Sequence, residues 1–332
     1  MKNLKAQLAV MLFSTLCLLT SASAQSLRIG DSNPAPCAGE GTMTATNAAL
    51  LRWYSQTYSV GTAPLGVAFD GCNIWMANNE GNTVTKLLAS SGAVVGTYTV
   101  GNNPNELAFD GSHIWVTNYG SNTVTKLLAK TGTVVGTYSV GNNPTGVAFD
   151  GSNIWVVNYG SGTVTKLLAS SGAVVGTYGV GISPIGIAFD GSNIWVTNAN
   201  SRTVTELLAS SGALIGTYNV GTYPIGIAFD GNNIWVANFG SNTVTKLLAS
   251  NGTAVGTYNV GSNPYGLAFD GNNIWVANDN SNSNTATKLL ANSGAVVGTY
   301  AAGNSPTGVA FDGSNIWVGN FGSNTVTRIP VN

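Results

Sequence analysis

The chain has 332 residues and little charge: 12 Lys and Arg stand against 13 Asp and Glu, a formal net charge of −1. Domains that bind nucleic acid carry a basic face, and so few basic residues cannot form one, so no nucleic-acid partner is expected. The 43 glycines are typical of a turn-rich, all-β protein.

The first 24 residues have the form of a secretory signal peptide. Lys2 and Lys5 precede an apolar run over residues 8–20, and the Ala-Ser-Ala sequence ending at Ala24 is a small-residue cleavage site. The run is shorter than the ~20 apolar residues of a transmembrane helix, and we predict no membrane span. We expect export to the periplasm or the extracellular space, with a leader segment over residues 25–52.

Residues 53–332 are predicted to form one domain from seven copies of a repeat. The consensus of the copies reads P-x-G-[VIL]-A-F-D-G-x-N-I-W-V-x-N, with S-N-T-V-T-K-L-L and V-V-G-T-Y following in most copies. The opening prolines are Pro64, Pro104, Pro144, Pro184, Pro224, Pro264 and Pro306. Their spacing is 40 residues, and 42 in the last interval. A fixed period of this size indicates one supersecondary unit copied along the chain.

Each copy contains four short β-prone runs, which we name strands A to D. In the first copy they cover residues 66–69, 74–77, 83–88 and 94–100, with Asp-Gly and Ser-Gly turn signals between A and B and between C and D. Four antiparallel strands at a period near 40 residues are typical of a β-propeller blade. Strand A opens on proline, which is tolerated at the first residue of a strand, and we place it innermost.

The two ends of the repeat region predict a closed ring. The last copy stops after strand C, at residues 325–329, while residues 54–61 carry an additional strand D sequence before the first copy. The seventh blade therefore takes three strands from the end of the chain and one from its beginning, which leaves no terminal edge unpaired. The predicted fold is an all-β, seven-bladed β-propeller with four-stranded antiparallel blades.

Three residues recur in every copy and have structural interpretations. The tryptophans of strand B are predicted to fill the space between blades, with ligand contact as the alternative: Trp75, Trp115, Trp155, Trp195, Trp235, Trp275 and Trp317. The aspartates that open the A–B turns bond their own backbone in such turns: Asp70, Asp110, Asp150, Asp190, Asp230, Asp270 and Asp312. A calcium site is their alternative, but calcium needs clustered oxygens. The asparagines after strand B are predicted to cap the B–C loops: Asn78, Asn118, Asn158, Asn198, Asn238, Asn278 and Asn320.

Two cysteines remain after removal of the signal peptide, Cys37 and Cys72. Export permits a disulfide bond. Cys72 lies in the predicted A–B turn of the first blade, and the leader with Cys37 enters the ring on that side. A Cys37–Cys72 disulfide is the candidate, with two free thiols as the alternative.

The repeat P-x-G-[VI]-A-x-D-G-x-x-[IL]-W-V-x-N followed by S-N-T-V-T-K-L resembles NHL and YVTN-type propeller repeats. It is also similar to the repeats of the streptogramin B lyase (virginiamycin B lyase) group. That second resemblance implies a metal-assisted, ring-opening elimination with a histidine base and acidic partners on one face. The only histidine here is His113, and the length of strand A, roughly 13 Å at 3.3 Å per residue, separates it from Glu106. We therefore assign no catalytic residue, no metal site and no cofactor.

The differences between copies concentrate on one side of the ring. In a propeller the D–A and B–C connections share one side, here named the D–A/B–C face, and the A–B and C–D turns share the other. The residue after each proline and the first residue of each B–C loop vary, and Glu106 replaces a glycine. The ligand-binding candidates are Asn105, Glu106, Tyr119, Tyr159, Ile185, Tyr223, Ile225, Phe239, Tyr265 and Phe321. Exposed aromatic residues rimmed by amides suggest a binding surface, and drift of loop tips is the alternative.

These patterns predict an exported, monomeric propeller that binds a peptide, a glycan or a cell-envelope partner on the D–A/B–C face, and is not an enzyme. One alternative is an enzyme of the streptogramin B lyase type. The other is a multivalent, lectin-like protein with one site per blade.

Overall fold

The computed structural model describes residues 54–280 and 284–331. The predicted signal peptide (1–24), the leader (25–52) and Cys37 lie outside these residues. In chain order the strands are β1 Gln56–Ser59, β2 Pro64–Phe69, β3 Asn73–Asn78, β4 Thr83–Leu88, β5 Val94–Thr99, β6 Pro104–Phe109, β7 His113–Asn118, β8 Thr123–Leu128, β9 Val134–Ser139, β10 Pro144–Phe149, β11 Asn153–Asn158, β12 Thr163–Leu168, β13 Val174–Gly179, β14 Pro184–Phe189, β15 Asn193–Asn198, β16 Thr203–Leu208, β17 Leu214–Asn219, β18 Pro224–Phe229, β19 Asn233–Asn238, β20 Thr243–Leu248, β21 Ala254–Asn259, β22 Pro264–Phe269, β23 Asn273–Asn278, β24 Thr285–Leu290, β25 Val296–Ala301, β26 Pro306–Phe311, β27 Asn315–Asn320 and β28 Thr325–Pro330. A 3-10 helix, Phe321–Ser323, precedes β28.

The strands form seven four-stranded antiparallel sheets, which are the seven blades. Blades 1 to 6 each use four consecutive strands, from β2–β5 to β22–β25, and blade 7 has the order β26-β27-β28-β1. In the closing pair, Gln56 lies opposite Arg328 and Ser59 opposite Thr325. The inner strand of every blade contacts the inner strands of both neighbours, and β2 contacts β26. The closed ring and the closing N-terminal strand are confirmed.

The A–B turns form because one aspartate carboxylate satisfies the turn and the neighbouring tryptophan together. Asp70 Oδ1 accepts hydrogen bonds from the backbone amides of Cys72 (2.9 Å) and Asn73 (2.6 Å). Its Oδ2 accepts from the indole Nε1 of Trp75 at 2.7 Å. Between them Gly71 has φ +97°, which glycine adopts without strain. The predicted turn role of the aspartates is confirmed; the bond to tryptophan is an addition.

The core lies between blades. All seven strand B tryptophans are 0% exposed. Trp75 and Ala77 on one side of blade 1 pack against Ile114 and Val116 of blade 2. The predicted role of the tryptophans as filler between blades is confirmed, since each blade contributes a tryptophan side and a branched aliphatic side.

A lysine in strand C joins most neighbouring blades. Lys86 Nζ lies 5.0 Å from the centroid of the Trp75 ring. It also donates a hydrogen bond to the carbonyl oxygen of Ala129 in blade 2, at 2.7 Å. Lys126, Lys166 and Lys246 make the same bond to the blade after their own. Each ammonium thus combines a cation–π contact with a carbonyl acceptor.

Blade 4 departs from this arrangement because it has Glu206 at the lysine position. The side chain is 3% exposed; it accepts hydrogen bonds from Tyr218 Oη (2.7 Å) and Asn193 Nδ2 (2.9 Å). Burial is the main cause that raises the pKa of the Glu206 carboxyl. The joint between blades 4 and 5 therefore holds a carboxyl group where five other joints hold a lysine ammonium over the tryptophan ring and the last holds the Arg328 guanidinium.

The asparagines after strand B also join neighbouring blades. Asn118 Oδ1 accepts from the backbone amide of Gly101, which follows strand D of blade 1. Its Nδ2 donates to Thr123 Oγ1 and Thr125 Oγ1 at the start of strand C. The predicted cap of the B–C loop therefore fixes the preceding D–A connection as well.

Cys72 is disulfide-bonded. Its predicted partner Cys37 lies outside the described residues, so the Cys37–Cys72 pairing stays a prediction. No helix within the described residues is long and apolar enough to cross a membrane.

Candidate functional site

The candidate site is built by the inner strands where they begin, at the D–A/B–C face. In blade 2, Pro104 pairs with Asn118 and Leu107 pairs with Val116, so the register shifts over the two residues between. The other six inner strands have the same shift. A bulge of this kind redirects side chains and backbone. In blades 2, 4, 5 and 6 it places the first and second residues after the proline at the channel in the centre of the ring.

At the second position after proline, six blades have glycine because the neighbouring blade lies too close for a side chain. A Cβ atom built on Gly66 or Gly146 would lie 2.6 Å from the carbonyl oxygen of the next blade, a separation that real Cβ atoms do not show. Gly186, Gly226, Gly266 and Gly308 meet the carbonyl oxygens of Ile225, Tyr265, Thr307 and Leu65 still more closely. The repeat therefore requires glycine here for the ring to close tightly.

Blade 2 breaks this rule with Glu106. Its Oε1 accepts a hydrogen bond from the backbone amide of Leu107 at 3.2 Å, and its carboxyl lies over Gly66 of blade 1. Burial raises the pKa of the Glu106 carboxyl to about 7, against the opposing effect of hydrogen bonds from the amides of Leu107 and Val67. A carboxyl group thus stands in the channel and titrates near neutral pH.

The channel contains a cavity of about 200 Å³. At the first position after proline its wall carries Asn105, Ile185, Ile225 and Tyr265, and one layer further in it carries branched aliphatic side chains. Among the described residues that line it, Glu106 is the one acid, and none is basic. The wall therefore combines aliphatic side chains with a comparable share of polar surface, which includes the Glu106 carboxyl group, Asn105 and Tyr265.

Tyr265 extends the polar part of the wall. Burial is the main cause that raises the pKa of the Tyr265 hydroxyl, followed by the negative charges of Glu106 and Asp279 and by Tyr223. The hydroxyl stays neutral at physiological pH as a result. Asp279 begins the B–C loop of blade 6, and burial likewise raises the pKa of its carboxyl.

An aromatic cluster of Tyr119, Tyr159, Tyr223 and Phe239 lies at the same face. The ring centroids of Tyr119 and Tyr159 are 6.4 Å apart, and those of Tyr223 and Phe239 are 6.0 Å apart. Burial, and then charge interaction and a hydrogen bond with Tyr159, raise the pKa of Tyr223. Tyr159 is in blade 3 and Tyr223 in blade 5, and blade 4 between them has the small, buried Ala199 at the corresponding loop position.

The structure divides the sequence candidates into two sets and leaves one apart. The cavity wall contains Asn105, Glu106, Ile185, Ile225 and Tyr265. The aromatic cluster contains Tyr119, Tyr159, Tyr223 and Phe239. Phe321 lies in the 3-10 helix of blade 7 and is in neither set.

His113 is remote from Glu106, as the length of strand A predicts. It begins β7 at the opposite end of the blade, and its Nδ1 lies 3.2 Å from Asp110 Oδ2. Among the described parts of the chain, no three His, Cys, Asp or Glu side chains group so that they could hold a metal ion.

Sequence reasoning missed the inner layer of the cavity, which contains Leu107, Ile187, Ile227 and Leu267. A signal was available, because the [VIL] position of the repeat always lies two residues beyond the variable one. The inward placement of these side chains depends on the bulge, which the sequence pattern does not reveal.

Fold and site together define a seven-bladed β-propeller in which Glu106 is the one carboxyl group that the described residues place in the wall of the channel. Among solved structures it is similar to a streptogramin B lyase, with a TM-score of 0.72 and 20% identity over 84% of this chain and 98% of that one. It is similar to virginiamycin B lyase from Staphylococcus aureus, with a TM-score of 0.71 and 18% identity over 84% and 99% of the two chains. Hydrazine synthase of Kuenenia stuttgartiensis gives a TM-score of 0.71 and 20% identity over 82% and 97%.

At these identities the likeness shows the fold, which is the one that the resemblance of the repeats implies. Neither a protein-family profile nor a curated protein sequence matches the chain.

Proposed function

We propose that the protein is an exported binding protein that takes its ligand, part of a peptide, a glycan or a cell-envelope partner, into the D–A/B–C end of its channel. The observation that supports this most is the replacement of glycine by Glu106. Six blades have glycine at this crowded position, and blade 2 alone replaces it with a carboxyl group, inside a cavity whose wall also carries aliphatic side chains. Departures from local consistency are expected at functional sites.

The repeated polar residues give less support to one site per blade. Each A–B aspartate is occupied by its turn and its tryptophan, as Asp150 is with Ser152, Asn153 and Trp155. The B–C asparagines are fully buried. A lectin-like protein with seven equal sites would need accessible polar groups at positions that every repeat shares. The polar groups that line the channel, such as Asn105, Glu106 and Tyr265, are instead at positions that vary between repeats.

The proposal is tested with variants that restore the residues of other blades. Glu106→Gly introduces the glycine of the six other copies, and Tyr265→Thr introduces the residue of blades 3 and 7, so both are compatible with the fold. Thermal-shift screening of short peptides and oligosaccharides should give ligands that stabilise the parent protein, with about one equivalent bound by calorimetry. The double variant should melt no lower than the parent and should not bind them.

Two results would contradict the proposal. One is a panel in which no compound binds, or binds the parent and the double variant equally. The other is binding of about seven equivalents, which would favour the lectin-like alternative.

A lyase is the second candidate, favoured by the channel carboxyl, because a general base works best with a pKa near the operating pH. The similar solved structures include streptogramin B lyases. The described residues provide no group of metal ligands for a metal-assisted mechanism. Incubation with a cyclic depsipeptide and Mg²⁺, followed by mass spectrometry, decides: a linear product that Glu106→Gln abolishes would establish an enzyme.

A further inference from the structure

Within residues 54–280 and 284–331, the ionised form of Glu106 has no counter-charge in the channel. No basic side chain lines the cavity among the described residues. The lysines on either side of blade 2, Lys86 and Lys126, are held between blades by tryptophan rings and carbonyl oxygens. Glu106 is partly buried, and a charge withdrawn from water is costly unless it is paired. The channel therefore offers half of an ion pair, and the other half would be a cation.

The wall around Glu106 restricts the form of that cation. To reach the carboxyl from the D–A/B–C face, a ligand passes the first layer of the wall, where Ile185, Ile225 and Tyr265 lie. Two of these side chains are aliphatic and the cavity holds only about 200 Å³, so we expect the part of the ligand that follows the charged group to be apolar and slender. The Glu106 carboxylate, the Asn105 amide oxygen and the Tyr265 hydroxyl oxygen are acceptors, and an ammonium has three donors.

We propose that the channel recognises a primary ammonium group on a slender apolar stem, and that Glu106 is its counter-ion. This inference rests on the proposed function, because it names the chemistry of the group that enters the channel. A free alkylamine and the lysyl side chain of a peptide share this chemistry, and the probes below distinguish them.

The pH dependence of binding follows from the groups around the carboxyl. The titratable group that faces Glu106 is Tyr265, with Asp279 and Tyr223 within electrostatic range of Tyr265. Tyr265 stays neutral, so the change in charge near pH 7 belongs to Glu106. Ammonium binding should therefore strengthen as the pH rises through about 7.

The probes are a blocked Gly-Lys-Gly peptide, the same peptide with norleucine in place of lysine, and free pentylamine. Calorimetry at about pH 8 should show that the lysine peptide binds and that the norleucine peptide binds roughly ten- to a hundredfold more weakly, the usual effect of losing a charge-assisted hydrogen bond. Glu106→Gln should lose the same factor for the lysine peptide. Glu80→Gln is the matched control, since Glu80 is exposed in the B–C loop of blade 1, and it should bind as the parent does.

Binding of pentylamine as tight as that of the lysine peptide would assign the site to free amines, and weaker binding would assign it to peptides. The inference is overturned if Glu106→Gln binds the lysine peptide as the parent does, if norleucine binds as well as lysine, or if no amine probe binds. In those cases the proposed function still stands where other compounds of the screening panel bind the parent and not the Glu106→Gly, Tyr265→Thr variant. The proposed function itself fails if no compound of the panel distinguishes the parent from that double variant.

Discussion

Replacement of Glu106 by glutamine should stabilise the protein in alkaline solution and leave its stability nearly unchanged in acid. The carboxyl has its pKa raised from 4.5 to about 7 in the folded protein, so the folded state binds this proton more tightly than the unfolded state. The stabilisation from protonation is complete below pH 4.5 and is lost as the pH rises to about 7. Glutamine keeps the shape of the protonated acid and carries no charge at any pH.

The magnitude follows from the pKa difference. At about 1.4 kcal/mol for each unit of pKa, the rise from 4.5 to about 7 corresponds to roughly 3.5 kcal/mol at most. Water that enters the channel screens the charge, so we expect Glu106→Gln to gain about 1 to 3 kcal/mol above pH 8. For a domain of this size, 1 kcal/mol corresponds to about 2–4 °C in Tm.

The assay is thermal unfolding of the parent, Glu106→Gln and Glu80→Gln at about pH 4.5 and about pH 8.5. Glu106→Gln should melt several degrees above the parent at the higher pH and within about a degree of it at the lower pH. Glu80→Gln, on the same face but exposed, should show no such difference between the two pH values.

The reasoning is refuted if the Tm difference between Glu106→Gln and the parent is the same at both pH values. A lower Tm for Glu106→Gln at the higher pH would also refute it, because the ionised carboxyl would then stabilise the channel.

Two further predictions concern the joints between blades. Tyr58→Ala should lower the free energy of unfolding by about 2 kcal/mol, because the Tyr58 ring in the closing strand stacks on Trp317 with their centroids 5.7 Å apart. The control is Tyr54→Ala, at a residue 64% exposed. Equal Tm values for the two variants would show that β1 does not close the ring. Glu206→Lys should raise Tm at neutral pH by the equivalent of about 1 kcal/mol, because it removes a buried carboxyl group and places an ammonium over the Trp195 ring. A fall in Tm would show that the hydrogen bonds of Glu206 with Tyr218 and Asn193 outweigh this gain.

The fold could be predicted from the sequence because the pattern of strands and turns that defines one blade occurs seven times. The 40-residue period, the four turn-bounded runs and the extra strand at residues 54–61 determine the number of blades and the closure, and the pairing of β1 with β28 confirms them. The tryptophans could be placed in the core because their alternation with Ile74 and Met76 gives the two sides of a strand.

The links between blades could not be predicted, because they depend on distances across the ring. The sequence shows Asp70, Trp75 and Lys86 in a fixed order. It does not show that the Trp75 indole donates a hydrogen bond to the Asp70 carboxylate, or that the Lys86 ammonium reaches the carbonyl oxygen of Ala129. The same holds for the meeting of Tyr159 and Tyr223 across blade 4.

The sequence predicted that the candidate site lies on the D–A/B–C face, but it did not predict the cavity in the channel. Variation after each proline identified Asn105, Ile185, Ile225 and Tyr265, and all of them line the channel. The sequence also shows Glu106 as the exception among glycines. Its importance depends on the carbonyl oxygens that crowd the other six positions, and these belong to the next blade in each case.

The most direct test of the account is a crystal structure of the protein with the blocked Gly-Lys-Gly peptide at saturating concentration, at about pH 8. The account predicts the lysine side chain inside the channel, with its Nζ about 3 Å from the Glu106 carboxylate and its stem beside Ile185 and Ile225. A peptide bound on the outer strands or on the A–B/C–D side, with the channel free of it, would contradict the account.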